Sequence, residues 1–326
     1  MSAAIIAPAA RLRVVRVGPH VSVQDAGRRG LMRFGVPASG PMDRKSFAIA
    51  HAALGNPADG PAIEVSVGGL AVVCEQGAVS VAIVGGGFRV RVGNHEAGSW
   101  SVLSLREGDT LQIDAGPWGS WCYLAFAGDL QAGQWLGSSA TLATSDFGSG
   151  LIKTDRLITV ERARVLEASH GDPVQRSIDC PVWARPARSV CGVLGPQERF
   201  FNQGALALLA TEAYELTHSY DRMGVRLRGP ALTPQAALSI PSEPIVRGSV
   251  QVSGDGTPTV LLSDHQTTGG YPKICTLLSD DVDRLAQCRP RDRIRFELLS
   301  PVQAIERTRE RAEQRQAYWS YLGVVR

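Results

Sequence analysis

Residues 261–273 read LLSDHQTTGGYPK, so an acid, an imidazole, an amide, two hydroxyls, two glycines and a phenol follow one another. Asp264 ends an apolar, β-branched segment beside the Gly269-Gly270 pair. A carboxylate there is a suitable acceptor for the N–H of an amide or urea, and Asp264 is the predicted catalytic residue. His265 is read either as a hydrogen-bonded surface histidine or as a catalytic one. Adjacent strand residues point to opposite faces, so Asp264 and His265 cannot ligate one metal ion. Thr267 and Thr268 donate and accept, Tyr271 adds a phenol, and the two glycines let backbone come close to a ligand. The alternative is an ordinary hairpin turn whose polar residues face water.

Further ionisable residues sit in other loops. Gln24 and Asp25 open VSVQDAGRRG, Asp43 closes FGVPASGPMD, and Asp221 and Arg222 lie in SYDRMG. Asp43 is read as a helix cap or as a site residue, and Asp221 as a turn cap or a site residue. Arg222 suits a substrate carboxylate or a neighbouring acid. Several reaction classes lack their signatures: no G-x-S-x-G elbow and no Ser-His-Asp order is present. The six cysteines form no CxxC pair, so neither a zinc ribbon nor a redox motif is expected, and no metal ligand set is predicted. Gly85-Gly86-Gly87 follows a strand but lacks the Lys-Ser/Thr ending of a phosphate loop, and reads as a turn.

The elements that must position these residues are short strands. Leu12–Val17, Ala62–Val67, Val79–Val84, Phe88–Val92, Ser101–Leu105 and Cys122–Ala127 alternate or run apolar between Gly- and Asp-rich turns. A helix is expected over Arg44–Leu54, a shorter one over Phe200–Leu209 and another at Asp281–Ala286. Residues 128–156 read as a long loop ordered by Trp135 and Leu136. Ile158–Leu166 reads as one strand, and Pro-rich residues 171–188 as a linker. A second β pattern runs from Ser189 to Leu298, and Val302–Tyr318 as a mostly exposed charged helix. This divides the chain into residues 1–186, 187–302 and a tail 303–326.

Composition narrows the partners. Apolar content of 44% with 20% charged residues is that of a globular chain, not of a disordered one. A net charge of +3 spread along the chain gives no basic face, so nucleic acid is not an expected partner. No apolar run is long enough for a membrane span and the first ten residues lack a signal-peptide pattern, so a cytoplasmic protein with free thiols is expected.

Several motifs also fall in a fixed order: VSVQDAGRRGLMRFGVPASGPMD, ALGNP, AIEV, SYDRMGVRLRGPAL, SEPIVRGSVQV, GDGTPTVLLSDHQTTGGYP and LAQCRPRDRIRF. From Leu12 to Leu299 the chain resembles the family of the C subunit of bacterial ATP-dependent 5-oxoprolinase. That family includes KipA-type proteins, proteins labelled allophanate hydrolase subunit 2, and the carboxyltransferase domain of urea amidolyase. The resemblance implies a mainly β fold: two cyclophilin-like β-barrel units with a few short helices and a C-terminal helix. It implies a subunit that opens 5-oxoproline to glutamate with subunits A and B, the KipI-like B subunit most directly. The alternatives are carboxyl transfer from carboxybiotin to urea or a related amide, and a non-catalytic KipA-type regulatory role.

A small amide-type substrate is common to both enzymatic readings. Asp264 is then the catalytic residue, with Gln24, Asp25, Asp43, Asp221, Arg222, His265, Thr267, Thr268, Gly269, Gly270 and Tyr271 around the substrate. No cofactor is expected on this chain itself; ATP, or carboxybiotin in the alternative, would enter through partner chains. Three places depart from the family pattern: Gly137-Ser138-Ser139-Ala140-Thr141 stands for GSRST, Thr154-Asp155 for Gly-Asp, and Ser242-Glu243-Pro244 for SEG.

Overall fold

Alternation sets the first long strand. In Ala9–Val17, Ala10, Leu12 and Val14 are buried while Arg11 is exposed and Arg13 bonds outward to Glu75, the pattern of a sheet with one face on a core. A computed structural model describes residues 5–6, 9–166, 174–195, 197–235 and 240–322. The expected linker at 171–188 lies in part, at 171–173, outside the described residues. The chain divides into two units, Met1–Arg28 with Ser39–Arg185 and Arg29–Ala38 with Pro186–Arg326.

The first unit contains a seven-stranded and a six-stranded sheet. The seven-stranded sheet runs in the order Asp129–Leu130, Leu157–Glu161, Ala9–Val17, Leu70–Gln76, Thr110–Trp118, Gly87–Val92 and His95–Gly98. The six-stranded sheet follows the order Val174–Ser177, Ser101–Arg106, Ala78–Val84, Trp121–Phe126, Ala62–Ser66 and Ser22–Gln24. One core joins them, with Leu12, Val72 and Leu111 from the first sheet against Ile83, Leu103 and Leu124 from the second. Each such side chain contributes roughly 1.5–3 kcal/mol on leaving water. The strand expected over Ile158–Leu166 breaks at Arg162, whose φ of 48° turns the chain, and resumes at Arg164–Val165.

Helix α1, Arg44–Ala53, starts where the sequence pattern put it. Asp43 Oδ1 accepts from the N–H groups of Lys45 (3.1 Å) and Ser46 (3.0 Å), and Oδ2 from the Ser46 hydroxyl at 2.6 Å. The Gly85–Gly87 turn is filled by its own neighbours. A Cβ on Gly86 would lie 2.5 Å from the Phe88 ring, and one on Gly87 would lie 2.4 Å from Trp118 Nε1.

The second unit is a closed seven-stranded barrel in the order Ser189–Leu194, Lys273–Leu277, Ser249–Val252, Pro258–Leu261, Gly224–Arg228, Ala213–Tyr220 and Arg293–Leu299. Ser189–Leu194 closes it by pairing parallel to Arg293–Leu299. Val190, Leu216, Val225, Val250, Val260, Ile294 and Phe296 are among its buried residues. Helix α2, Gln203–Thr211, is capped by Asn202, and it starts three residues later than expected because Glu198–Phe200 forms a 3₁₀ turn first. Helix α3 spans Ser279–Ala286, and helix α4 spans Pro301–Tyr321 behind a Ser300/Gln303 capping box.

Helix α4 is mostly exposed, as expected, with Ala304 and Trp319 buried. Three of its arginines are nonetheless anchored. Arg307 meets Glu297 at 3.1 Å, Arg311 meets the fully buried Asp281 at 2.7 Å, and Arg315 pairs with Asp280. All six cysteines are free thiols. Burial pushes the Cys275 and Cys288 thiols up to about 12 and the Cys191 thiol to about 11, which leaves them unreactive as nucleophiles. Among the described residues no helix is long and apolar enough to cross a membrane.

Candidate functional site

The 261–273 loop has a buried root and an exposed crown. Ser263, Asp264 and His265 are buried, whereas Thr268 and Tyr271 are exposed. The strand before the loop pairs with Gly224–Arg228, which brings the Asp221–Gly224 turn alongside. Asp221 Oδ1 caps that turn, accepting from Met223 N–H at 2.8 Å and Gly224 N–H at 3.2 Å. Arg222 then reaches Asp264, with Nε to Oδ2 at 2.8 Å and Nη2 to Oδ1 at 3.0 Å. The two side chains are 4% and 3% exposed, so this is a desolvated, two-point ion pair.

Both oxygens of Asp264 are therefore engaged by Arg222. His265 is buried as well, with Nδ1 2.6 Å from the Gln266 carbonyl. The crown is held from its other side. Thr268–Gly269 pairs with Glu243–Pro244, Ile245 N–H donates to Thr267 O at 3.1 Å, and Ile240 N–H donates to Gly270 O at 3.2 Å. The two glycines serve this packing: a Cβ on Gly269 would lie 2.4 Å from Gln251 Nε2, and one on Gly270 3.1 Å from Ile240 O. The close approach that the glycines permit is to the chain itself.

In the first unit the predicted residues bind their own loops. Gln24 is fully buried, and its amide donates to Ser22 Oγ at 2.9 Å and to Thr141 O at 3.2 Å. Asp25 accepts from Gly27 N–H (2.9 Å), the Ser138 hydroxyl (2.7 Å) and Ser139 N–H (2.5 Å). Arg28 lies 4.9 Å over the Trp135 ring and donates to the carbonyls of Trp135 and Ala140. The Ser138–Ala140 segment is thus fastened by Asp25 and Arg28. Asp43, besides capping α1, donates its N–H to Tyr123 Oη at 2.7 Å, and Tyr123 donates to the fully buried Glu64 at 2.9 Å. Burial and the nearby Glu64 hold the Tyr123 phenol well above its ordinary range, so it stays protonated.

Sequence reasoning missed a second polar group in the barrel unit. Lys273, at the foot of the loop, gives an Nζ proton to Glu243 Oε2 at 3.2 Å. Gln197 donates from Nε2 to the same oxygen at 2.6 Å and accepts Lys273 N–H at 2.8 Å. The one local signal was a lysine opening the otherwise apolar strand Lys273–Leu277. Among the described residues no three His, Cys, Asp or Glu side chains stand together at metal-ligand spacing.

Comparisons with known proteins extend these observations. The family model described as carboxyltransferase domain, subdomain A and B, matches residues 34–298. The 5-oxoprolinase C subunit of Escherichia coli K12 is 29% identical over 276 residues, which is 85% of this chain and 87% of that protein. Its Haemophilus influenzae counterpart, likewise a 5-oxoprolinase C subunit, is 30% identical over 307 residues, 91% of this chain and 94% of that one. The urea amidolyase of Saccharomyces cerevisiae is 27% identical over 89% of this chain, but over only 17% of its own length. Among solved structures, TTHA0988 superposes with a TM-score of 0.79 at 28% identity over 88% of this chain, which spans about half (56%) of that one.

Proposed function

The chain belongs to the carboxyltransferase domain family, subdomain A and B, and from that premise we propose that it acts as the C subunit of a 5-oxoprolinase-type complex. The complex opens the lactam of 5-oxoproline to glutamate: water adds at the carbonyl carbon, the C–N bond breaks, and ATP hydrolysis drives the step. The observation that carries this reading is extent. Two C subunits are matched over 87% and 94% of their own lengths, whereas the urea amidolyase is matched over 17% of a far longer chain.

In this reading the crown of the 261–273 loop meets the amide, with Thr268 and Tyr271 as its accessible polar groups. Asp264 acts as a positioning residue through its pair with Arg222, which sets the loop's shape. Gln24, Asp25 and Asp43 support loops of the first unit in the same way. The A and B subunits are its partners, B most directly, and the ATP enters through them. The Gly85–Gly87 run lacks the Lys-Ser/Thr ending of a phosphate loop, which accords with that division. Work inside an ATP-driven assembly accords with a cytoplasmic location.

A second reading is carboxyl transfer from carboxybiotin to urea or a related amide, favoured by the family description and by the likeness to urea amidolyase. Co-expression with A- and B-type subunits separates the two. ATP-dependent release of glutamate from 5-oxoproline is the expected result; consumption of carboxybiotin with urea, and no glutamate, overturns it.

A further inference from the structure

Gln251 and Lys273 oppose each other across neighbouring strands of the barrel, and the loop returns onto Gln251 at Gly269. Both are buried, at 5% and 8% exposure. Gln251 Oε1 accepts from Gln266 at 3.2 Å, while its Nε2 has no hydrogen-bond partner among the described residues. Lys273 carries three N–H donors, and among the described residues only Glu243 takes one. The region is rich in donors, and the carboxylate that Lys273 and Gln197 meet, Glu243, stands half exposed at 47%.

We propose that Lys273 and Gln197 form a binding subsite for the carboxylate of a small substrate, and that Glu243 is its resident occupant in the ligand-free chain. Glu243 Oε2 marks the position: a carboxylate oxygen 3.2 Å from an ammonium and 2.6 Å from an amide N–H, the two donors coming from separate elements. Gln197 cannot swing away, because its Oε1 is fixed by the Lys273 N–H. The two donors are thus preorganised relative to each other, which raises affinity by lowering the cost of ordering. Glu243 is held far less firmly, on a two-residue strand with a half-exposed side chain, and an ion pair with an exposed partner is weak.

A ligand carboxylate entering there displaces Glu243, inherits both donors and gains the spare protons of Lys273. Glu243 pairs directly with Gly269, so its departure also shifts the crown of the loop. The subsite selects amides that bear a carboxylate over neutral amides such as urea. It rests on the functional reading above and names the group by which that reading's substrate is chosen.

The test uses the full chain, alone and in the co-expressed complex, with 5-oxoproline and with 2-pyrrolidinone, the same lactam without its carboxylate. Binding of 5-oxoproline by calorimetry is expected to weaken about 10- to 100-fold in Lys273→Met, the range for a lost charge-assisted bond. It is expected to tighten several-fold in Glu243→Gln, and 2-pyrrolidinone is to bind weakly and equally to all three proteins. In the complex the loss is expected in KM with kcat largely retained. Wild-type affinity in Lys273→Met, an equal loss for both ligands, or no binding of 5-oxoproline by wild type overturns the subsite. If Lys273→Met fails to fold, Glu243→Gln decides: unchanged or weaker affinity overturns it. A wild-type complex that never releases glutamate sinks the functional reading alone; carboxylate binding that still follows Lys273 and Glu243 supports the subsite.

Discussion

Arg222 and Asp264 stand 42 residues apart in the chain and close on each other twice, side chain to side chain and backbone to backbone. The guanidinium holds both carboxylate oxygens, and Asp264 N–H donates to Arg222 O at 2.8 Å. Removing one partner leaves a buried charge without its counter-ion. Asp264→Ala is expected to destabilise the chain by about 3–5 kcal/mol in urea unfolding, and Arg222→Met with Asp264→Leu to recover most of that loss. If the stable double variant also keeps its activity in the complex, Asp264 is a structural tie and no more.

His51 titrates inside the first unit. Burial pushes its pKa down from 6.5 to about 4, and its ring packs edge-on against Phe47 at 4.6 Å. The folded chain keeps the imidazole neutral, while the unfolded chain binds a proton below 6.5. Stability is therefore present above that pH and lost as pH falls from about 6.5 towards 4, by on the order of 3 kcal/mol. Unfolding midpoints across this window should show the slope in wild type and a flatter acid limb in His51→Leu.

Asp25 gathers three donors from two loops. Asp25→Ala leaves them without an acceptor and should cost about 1.5–3 kcal/mol. Amide exchange resolved by residue offers a sharper readout: Ser139 and Gly27 should exchange much faster, and Leu103, in the core, only as global stability falls. Unchanged protection at Ser139 would contradict the hydrogen bond assigned to it.

On helix α4 one arginine outweighs its neighbours. Arg311 reaches the fully buried Asp281, which also accepts Cys191 N–H at 3.1 Å. Arg311→Met is expected to cost about 3 kcal/mol, whereas Arg309→Ala, on the exposed face, should stay within about 0.5 kcal/mol. Thermal unfolding of the two variants side by side checks the contrast.

What could be read from the residues followed from local chemistry. Asp43 before Arg44–Ala53 announced a cap, because the bond it makes spans only two or three residues. The alternating strands announced a β fold, because burial on one face writes a period of two. Trp135 announced an ordered loop, and it stacks on Phe147 at 4.2 Å. The Lys273–Gln197–Glu243 group was not legible, since its bonds link residues 76, 30 and 46 positions apart. No periodicity encodes such distances. The role of Gly269 was half legible: the need for a bare Cα was plain, but that Gln251 needs the space depended on which strand lies beside the loop.

Barrel closure by Arg293–Leu299 has a consequence for the chain during its synthesis. That strand pairs with Ser189–Leu194 on one side and Ala213–Tyr220 on the other, and it is the last of the seven to be made. Until it emerges, the other six can form only an open sheet with two bare edges, each a template for another nascent chain. The strands of the first unit are all made earlier and need not wait for it. Ribosome-bound chains arrested before Arg293 should consequently bind chaperones and aggregate through the second unit, and arrest a few dozen residues later should relieve both.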